Sequence, residues 1–167
     1  MKLSCKKVVS QDLFPRGKIV VKLLSLEETL SPTYDASRRF FVREGRYPKS
    51  EDLESFEESE KAPQWRFTFI ICEKNENDEW VDNAEKTFSV YSTNSLNLYK
   101  GSPSKASKII SALTNKDFLA LSQQSEIDSE ELQGQCAEVN VLIAPRENGG
   151  EKNVFDGWTH FDPNLPF

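Results

Sequence analysis

A single histidine in the whole chain removes most of the side-chain chemistry on which hydrolases and zinc enzymes depend. His160 is lodged between Trp158-Thr159 and Phe161, and it reads as a strand residue with one wet face rather than as a catalytic base. There is no Cys-x-x-Cys pair, no glycine-rich phosphate loop and no Gly-x-Ser-x-Gly. The three cysteines, Cys5, Cys72 and Cys136, are odd in number and far apart, as reduced thiols are in a reducing compartment. No window approaches the roughly 20 apolar residues of a membrane span. Lys2, Lys6 and Lys7 are not followed by the apolar stretch of a secretory leader. These absences predict a cytoplasmic protein that is not an enzyme, with no cofactor, no metal and no membrane contact.

What is present is a chain of 167 residues, 37% hydrophobic and 29% charged, with a net charge of −6. That length suits one domain and buries roughly two-thirds of the surface of the unfolded chain. The acidic balance argues against a surface coated in positive charge, but the charges are segregated, which leaves room for a local basic patch.

Alternation begins at Gly17 to Leu26, where Ile19, Val21 and Leu23 share one face, the pattern of a half-buried strand. Ser31 to Pro63 then shows little regular pattern and is expected to be a long insertion loop. Gln64 to Cys72 places Trp65, Phe67, Phe69 and Ile71 on one face. Asn75-Glu76-Asn77-Asp78 is a turn signal, and the return strand is expected from Lys86 to Ser92, with Phe88 and Val90 inward. Trp80 marks a short strand or ladder end between the two, serving as a stacking platform or as a lid over the core.

A helix follows. Ser102 is expected to cap it with Pro103 at its first position, and Ala106, Ile109, Ile110 and Leu113 form its apolar stripe. Phe118, Leu119 and Leu121 suggest a short second helical turn, and the acidic stretch from Glu126 to Glu131 a connection. Gln135 to Ile143 alternates again, with Ala137, Val139, Val141 and Ile143 on one face. Asn148-Gly149-Gly150 is a hairpin turn, and a last strand runs from Asn153 to Phe161, with Gly157 suited to a bulge.

The predicted fold is therefore mainly β. Its order of strand, long insertion, hairpin, helix and hairpin is that of an OB fold, a five-stranded Greek-key barrel with one helix between strands 3 and 4 and an insertion between strands 1 and 2. A β-sandwich with one crossover helix gives a similar string. Residues 1–161 form the domain, with the insertion at 31–63, and residues 162–167 form a C-terminal tip.

The insertion carries the most informative stretch, from Ser37 to Lys49. Arg38, Arg39, Arg43, Arg46 and Lys49 interleave there with Phe40, Phe41 and Tyr47. Cations that track phosphates and rings that stack on unpaired bases are what single-stranded nucleic acid requires. In OB folds the loop between strands 1 and 2 also helps bind oligonucleotides. The plainer reading is that Phe40 and Phe41 cover one end of the barrel while the arginines pair with the following acidic run, Glu51 to Glu60. That run is either a solvated loop or a mask over the basic stretch. On the hairpin, Arg66, Thr68 and Tyr91 are expected on the solvent face, with Lys18 and Lys22 extending it.

The chain ends Phe161-Asp162-Pro163-Asn164-Leu165-Pro166-Phe167, which resembles the C-terminal tip of bacterial single-stranded-DNA-binding proteins. That resemblance implies that Asp162, Leu165, Pro166 and Phe167 dock on a replication or recombination partner. Only one acid lies close to the end, and no long Gly/Gln/Pro-rich linker precedes it. The lysine-bearing helix Ser104 to Ile110, and Leu132 to Cys136 leading into the closing strands, are similar to phage single-stranded-DNA-binding proteins of the OB type.

The reading is thus a binder of single-stranded DNA with low sequence specificity, using Arg38, Arg39, Phe40, Phe41, Arg43, Arg46, Tyr47, Lys49, Arg66 and Tyr91. Its rival is a protein-interaction adaptor or inhibitor acting through the acidic loop and the apolar tip. A homo-oligomer is compatible with either.

Overall fold

The computed structural model describes residues 13–98, 101, 103–146 and 149–164. It is mainly β: five antiparallel strands form one sheet in the order β3-β2-β1-β4-β5. The strands are β1 (Gly17–Pro32), β2 (Lys61–Lys74), β3 (Trp80–Thr93), β4 (Cys136–Pro145) and β5 (Glu151–His160). β1 lies at the centre, pairing with β2 from Val20↔Cys72 to Pro32↔Lys61 and with β4 from Gly17↔Val141 to Lys22↔Cys136.

Alternation places one face of every strand in the core. Val21, Leu23, Phe67, Phe69, Ile71, Ala137 and Val139 are all buried there. Helix α2 (Lys105–Thr114) packs across this face through Ala106, Ile109, Ile110 and Leu113, the stripe its periodicity predicts. Burying a large aliphatic or aromatic side chain is worth about 1.5–3 kcal/mol, so these residues dominate the fold's stability.

The expected barrel is not closed by hydrogen bonds. Among the described residues no ladder joins β3 to β5, and side chains fill the seam instead. The rings of Phe88 and Phe155 stack at 4.2 Å, Phe14 meets Phe88 edge-on at 5.8 Å, and Trp80 meets Phe161 at 5.0 Å. Rings of this size hold two edge strands too far apart for a ladder, whose strands must approach to about 4.8 Å. Phe14 is fixed by its own backbone, because Asn153 Oδ1 accepts from its N–H at 2.8 Å and Asn153 Nδ2 donates to its carbonyl.

Three other expectations are corrected. The insertion is ordered: α1 (Tyr34–Glu44) and two 3-10 turns, Ser50–Ser55 and Glu58–Glu60, occupy most of it, and β1 and β2 extend into its two ends. The reason is local. Thr33 Oγ1 accepts the Ala36 N–H, Asp35 sits in the first turn, and Gly45 closes the helix at φ 72°, its N–H reaching Phe41 O. The segment between β3 and β4 adds to α2 the expected short second turn, α3 (Phe118–Ser122), and also a third helix, α4 (Ser129–Leu132), where a plain connection was expected. Finally, α2 is capped by Ser104, whose Oγ accepts from the Ser107 N–H at 3.2 Å, so Pro103 precedes the cap. Ser102, Asn148 and Cys5 lie outside the described residues.

Bulges re-aim the strands. The β1–β2 register slips between Leu23 and Ser25, and the β2–β3 register slips between Ile70 and Ile71. The β4–β5 slip surrounds Gly157 at φ 67°, as a glycine in a strand suggests.

Candidate nucleic-acid interface

On the sheet face opposite the core, the upper halves of β1, β2 and β3 floor an open groove of about 450 Å³. Thr29, Gln64, Arg66 and Tyr91 lie along this floor, and Pro48 to Ser50 with Leu53 form a wall from the insertion. Arg66 and Tyr91 are cross-strand partners in the β2–β3 ladder. Tyr91 is 45% exposed, and Arg66 Nε donates to Ser89 Oγ at 3.2 Å, which steadies the guanidinium along the strand.

Of the ten residues expected to bind nucleic acid, the groove gathers three: Lys49, Arg66 and Tyr91. The others stand on or beside α1 and are engaged elsewhere. Phe40 is a correction, because it is buried at 4% exposure in a small core with Ala36 and Phe56 and has no face for a base. Its position four residues after Ala36 puts both on the inner face of α1. Arg43 and Arg46 lie over its ring at 5.5 and 5.1 Å. Phe41 stacks on Tyr47 at 4.6 Å, both half-buried.

Two arginines of this segment, Arg39 and Arg46, meet the acidic run as the plainer reading expects, whereas Arg43 meets Glu44 outside it. Arg46 grips Asp52 through two bonds of 2.8 and 3.1 Å, Arg39 reaches Glu60 at 3.3 Å, and Arg43 reaches Glu44 at 3.2 Å. Arg38 donates to the Tyr34 hydroxyl. Asp52 also accepts the Lys49 N–H at 2.7 Å, so one carboxylate ties Arg46 to the groove wall. The Arg46 guanidinium, then the Lys49 amide, hold the Asp52 carboxyl down at about 2. Glu60 is lowered by the Glu57 amide first and by Arg39 second.

The groove cations differ from those on α1. Lys49 and Arg66 form no ion pair with a carboxylate among the described residues. Lys18 and Lys22 do not extend the platform as expected. Lys18 pairs with Glu138 at 3.7 Å and Lys22 with Asp82 at 2.9 Å. The Asp82 contact raises the Lys22 pKa, and Lys22 in turn lowers Asp82. Cys72 donates to that same carboxylate at 3.4 Å. Its thiol is pushed up, first by a hydrogen bond with Cys136 and then by burial.

His160 ties the last strand to α2, with Nδ1 at 2.9 Å from Ala112 O, where only the Nδ1–H tautomer can donate. Trp80 is half-buried, with Lys74 Nζ 5.5 Å from its ring centre. Asp162 accepts the Asn164 N–H at 2.9 Å, whereas Leu165, Pro166 and Phe167 lie outside the described residues. Among the described residues no helix is long and apolar enough to cross a membrane, and no group of three or more His, Cys, Asp or Glu is arranged around a metal.

No family model matches the chain, and neither a curated protein nor a solved structure is significantly similar to it. The chemistry of the groove must therefore be read from its own residues.

Proposed function

We propose that the protein binds single-stranded DNA, with low sequence specificity, along the groove over β1, β2 and β3. The observation that carries this reading is the cross-strand pair Arg66–Tyr91 facing Lys49 over an open groove. A guanidinium and an ammonium outside any close ion pair suit phosphates, and an exposed phenol ring suits an unpaired base. A duplex needs a broader footprint of charge, whereas one strand fits a groove walled on one side. Phosphate contacts and ring stacking carry no base identity, which is the reason for proposing low specificity.

The strand order, the helix behind the sheet and the placement of the groove on strands 2 and 3 beside the 1–2 connection support an OB barrel whose seam is filled by rings. In this reading the groove is the ligand face, and the α1 arginines shape its wall without contacting the ligand. Replication or recombination is the setting we propose, and docking through Asp162, Leu165, Pro166 and Phe167 is a separate proposal. Truncation after Phe161 tests the latter: it should leave DNA affinity unchanged while abolishing capture of a replication or recombination protein.

The test of the main reading is fluorescence anisotropy with labelled oligo-dT at two salt concentrations. Binding should weaken steeply with salt, because displaced counterions oppose it. Arg66→Gln should reduce affinity at the lower salt. A flat signal at micromolar protein removes the proposal.

A further inference from the structure

Successive residues of β2 serve different sides of the sheet. Gln64 and Arg66 line the groove, whereas Trp65, with Leu26 of β1, turns to the other face and packs against the core. Beyond these two side chains the core is not filled. A separate cavity of about 260 Å³ opens there, lined by Leu26 and Trp65, by Leu96 after β3, by Ile110 of α2, and by Ile127 and Leu132 before and within α4. Ile110 and Leu132 are 2% and 1% exposed, so the cavity ends on the hydrophobic core itself.

The surroundings of this apolar hollow have the opposite character. Glu27 and Glu28 also line it, and Glu28 is the cross-strand partner of Trp65. The segment that supplies Ile127 and Leu132 holds Glu126, Asp128, Glu130 and Glu131 and no base. All six acids are exposed, and none forms a close ion pair among the described residues. Glu28 accepts from Asn94 Nδ2 at 3.3 Å, a neutral donor that leaves its charge uncompensated.

We propose that this cavity receives one large apolar side chain of a basic protein segment, whose flanking lysine or arginine meets Glu28 and the acids beside α4. Size and charge together select that occupant. The volume lies under the roughly 300–1,000 Å³ of small-molecule and cofactor sites, and it suits a single anchoring side chain. An apolar anchor inserted there joins residues already out of water, which is where interface energy concentrates. The uncompensated carboxylates draw in a cationic segment and fix its orientation. The inference goes beyond the nucleic-acid reading and does not depend on it, because Trp65 and Arg66 face opposite sides of the sheet.

The test titrates the full chain to millimolar concentrations with three acetylated and amidated peptides, Lys-Trp-Lys, Lys-Gly-Lys and Glu-Trp-Glu. Methyl NMR follows Ile110, Ile127 and Leu132. Lys-Trp-Lys should shift these methyls saturably, and Lys-Gly-Lys should leave them in place. Glu-Trp-Glu should bind at least about fivefold more weakly than Lys-Trp-Lys. Glu28→Gln changes an exposed strand position and keeps the fold; it should weaken Lys-Trp-Lys about threefold and flatten its salt dependence, the scale of one rim ion pair. If Lys-Trp-Lys leaves the methyls unmoved, no anchor enters and the proposal is overturned. Equal binding of Glu-Trp-Glu, or an unchanged affinity and salt dependence in Glu28→Gln, overturns the basic partner. Shifts at the same methyls that grow with protein concentration alone would give the cavity to a second copy of the chain, and would overturn it as well.

Discussion

Arg46 holds both carboxylate oxygens of Asp52, and the same carboxylate accepts the Lys49 amide, so the wall of the groove hangs on one acid. The carboxyl titrates at about 2 in the folded protein, against about 3.9 in an unfolded chain. A depressed carboxyl contributes stability that is fully present above the unfolded value and is lost as pH falls through the folded one. The clamp should therefore hold unchanged from neutrality to about pH 4 and release between there and pH 2. A carboxyl-carbon NMR titration gives the midpoint directly. An Asp52 midpoint near the ordinary aspartate value would show that the clamp does not form in solution.

The arginines on α1 and the cations of the groove should separate cleanly in binding. Arg39→Gln and Arg43→Gln remove charges already matched by Glu60 and Glu44, and should change oligo-dT affinity by less than about twofold. Lys49→Gln removes an unpaired groove cation and should cost about fivefold near 0.1 M salt. The reverse ranking would move the interface from the groove to the helix.

Two aromatic residues divide in the same way. Phe40→Leu loosens a buried packing site and should cost about 1 kcal/mol of stability while oligonucleotide affinity is retained. Tyr91→Ala removes a 45% exposed ring and should leave the urea midpoint in place, while costing about 1–3 kcal/mol of binding. Equal loss of binding in both variants would contradict the assignment of Phe40 to the core.

Gly157 turns at φ 67° inside β5, and a Cβ there would lie 2.9 Å from Asn140 Nδ2. The amide is the free end of a side chain and can swing aside, so the backbone term decides the outcome. Gly157→Ala should destabilise the domain by about 1–2 kcal/mol. Urea denaturation measures it, and an unchanged midpoint would mean that the bulge is not needed.

The strands were legible from alternation because a sheet with one buried face repeats every two residues whatever its partners. Phe67 and Phe69, or Val139 and Val141, lie inward as their spacing indicates. The α2 stripe was legible for the same reason at helical period. Helix α1 was obscured by its composition: three arginines and the run Phe40-Phe41-Val42 hide the Ala36–Phe40 pair that alone faces a small core. The signal available was at its ends, Thr33 before Asp35 and Gly45 after the last arginine.

Sequence by itself determined the mainly β class, the inward faces and the supply of cations and rings, since these depend on local period and residue type. Which cations remain available was decided only by tertiary structure. The Asp52 and Glu60 carboxylates lie 6 and 21 residues from Arg46 and Arg39, and whether they meet depends on how the insertion folds back between β1 and β2. The pairing of Arg66 with Tyr91, 25 positions apart by their numbering, likewise follows from hairpin register. Charge is written in the chain, but its neutralisation depends on distance, and distance is set by the fold.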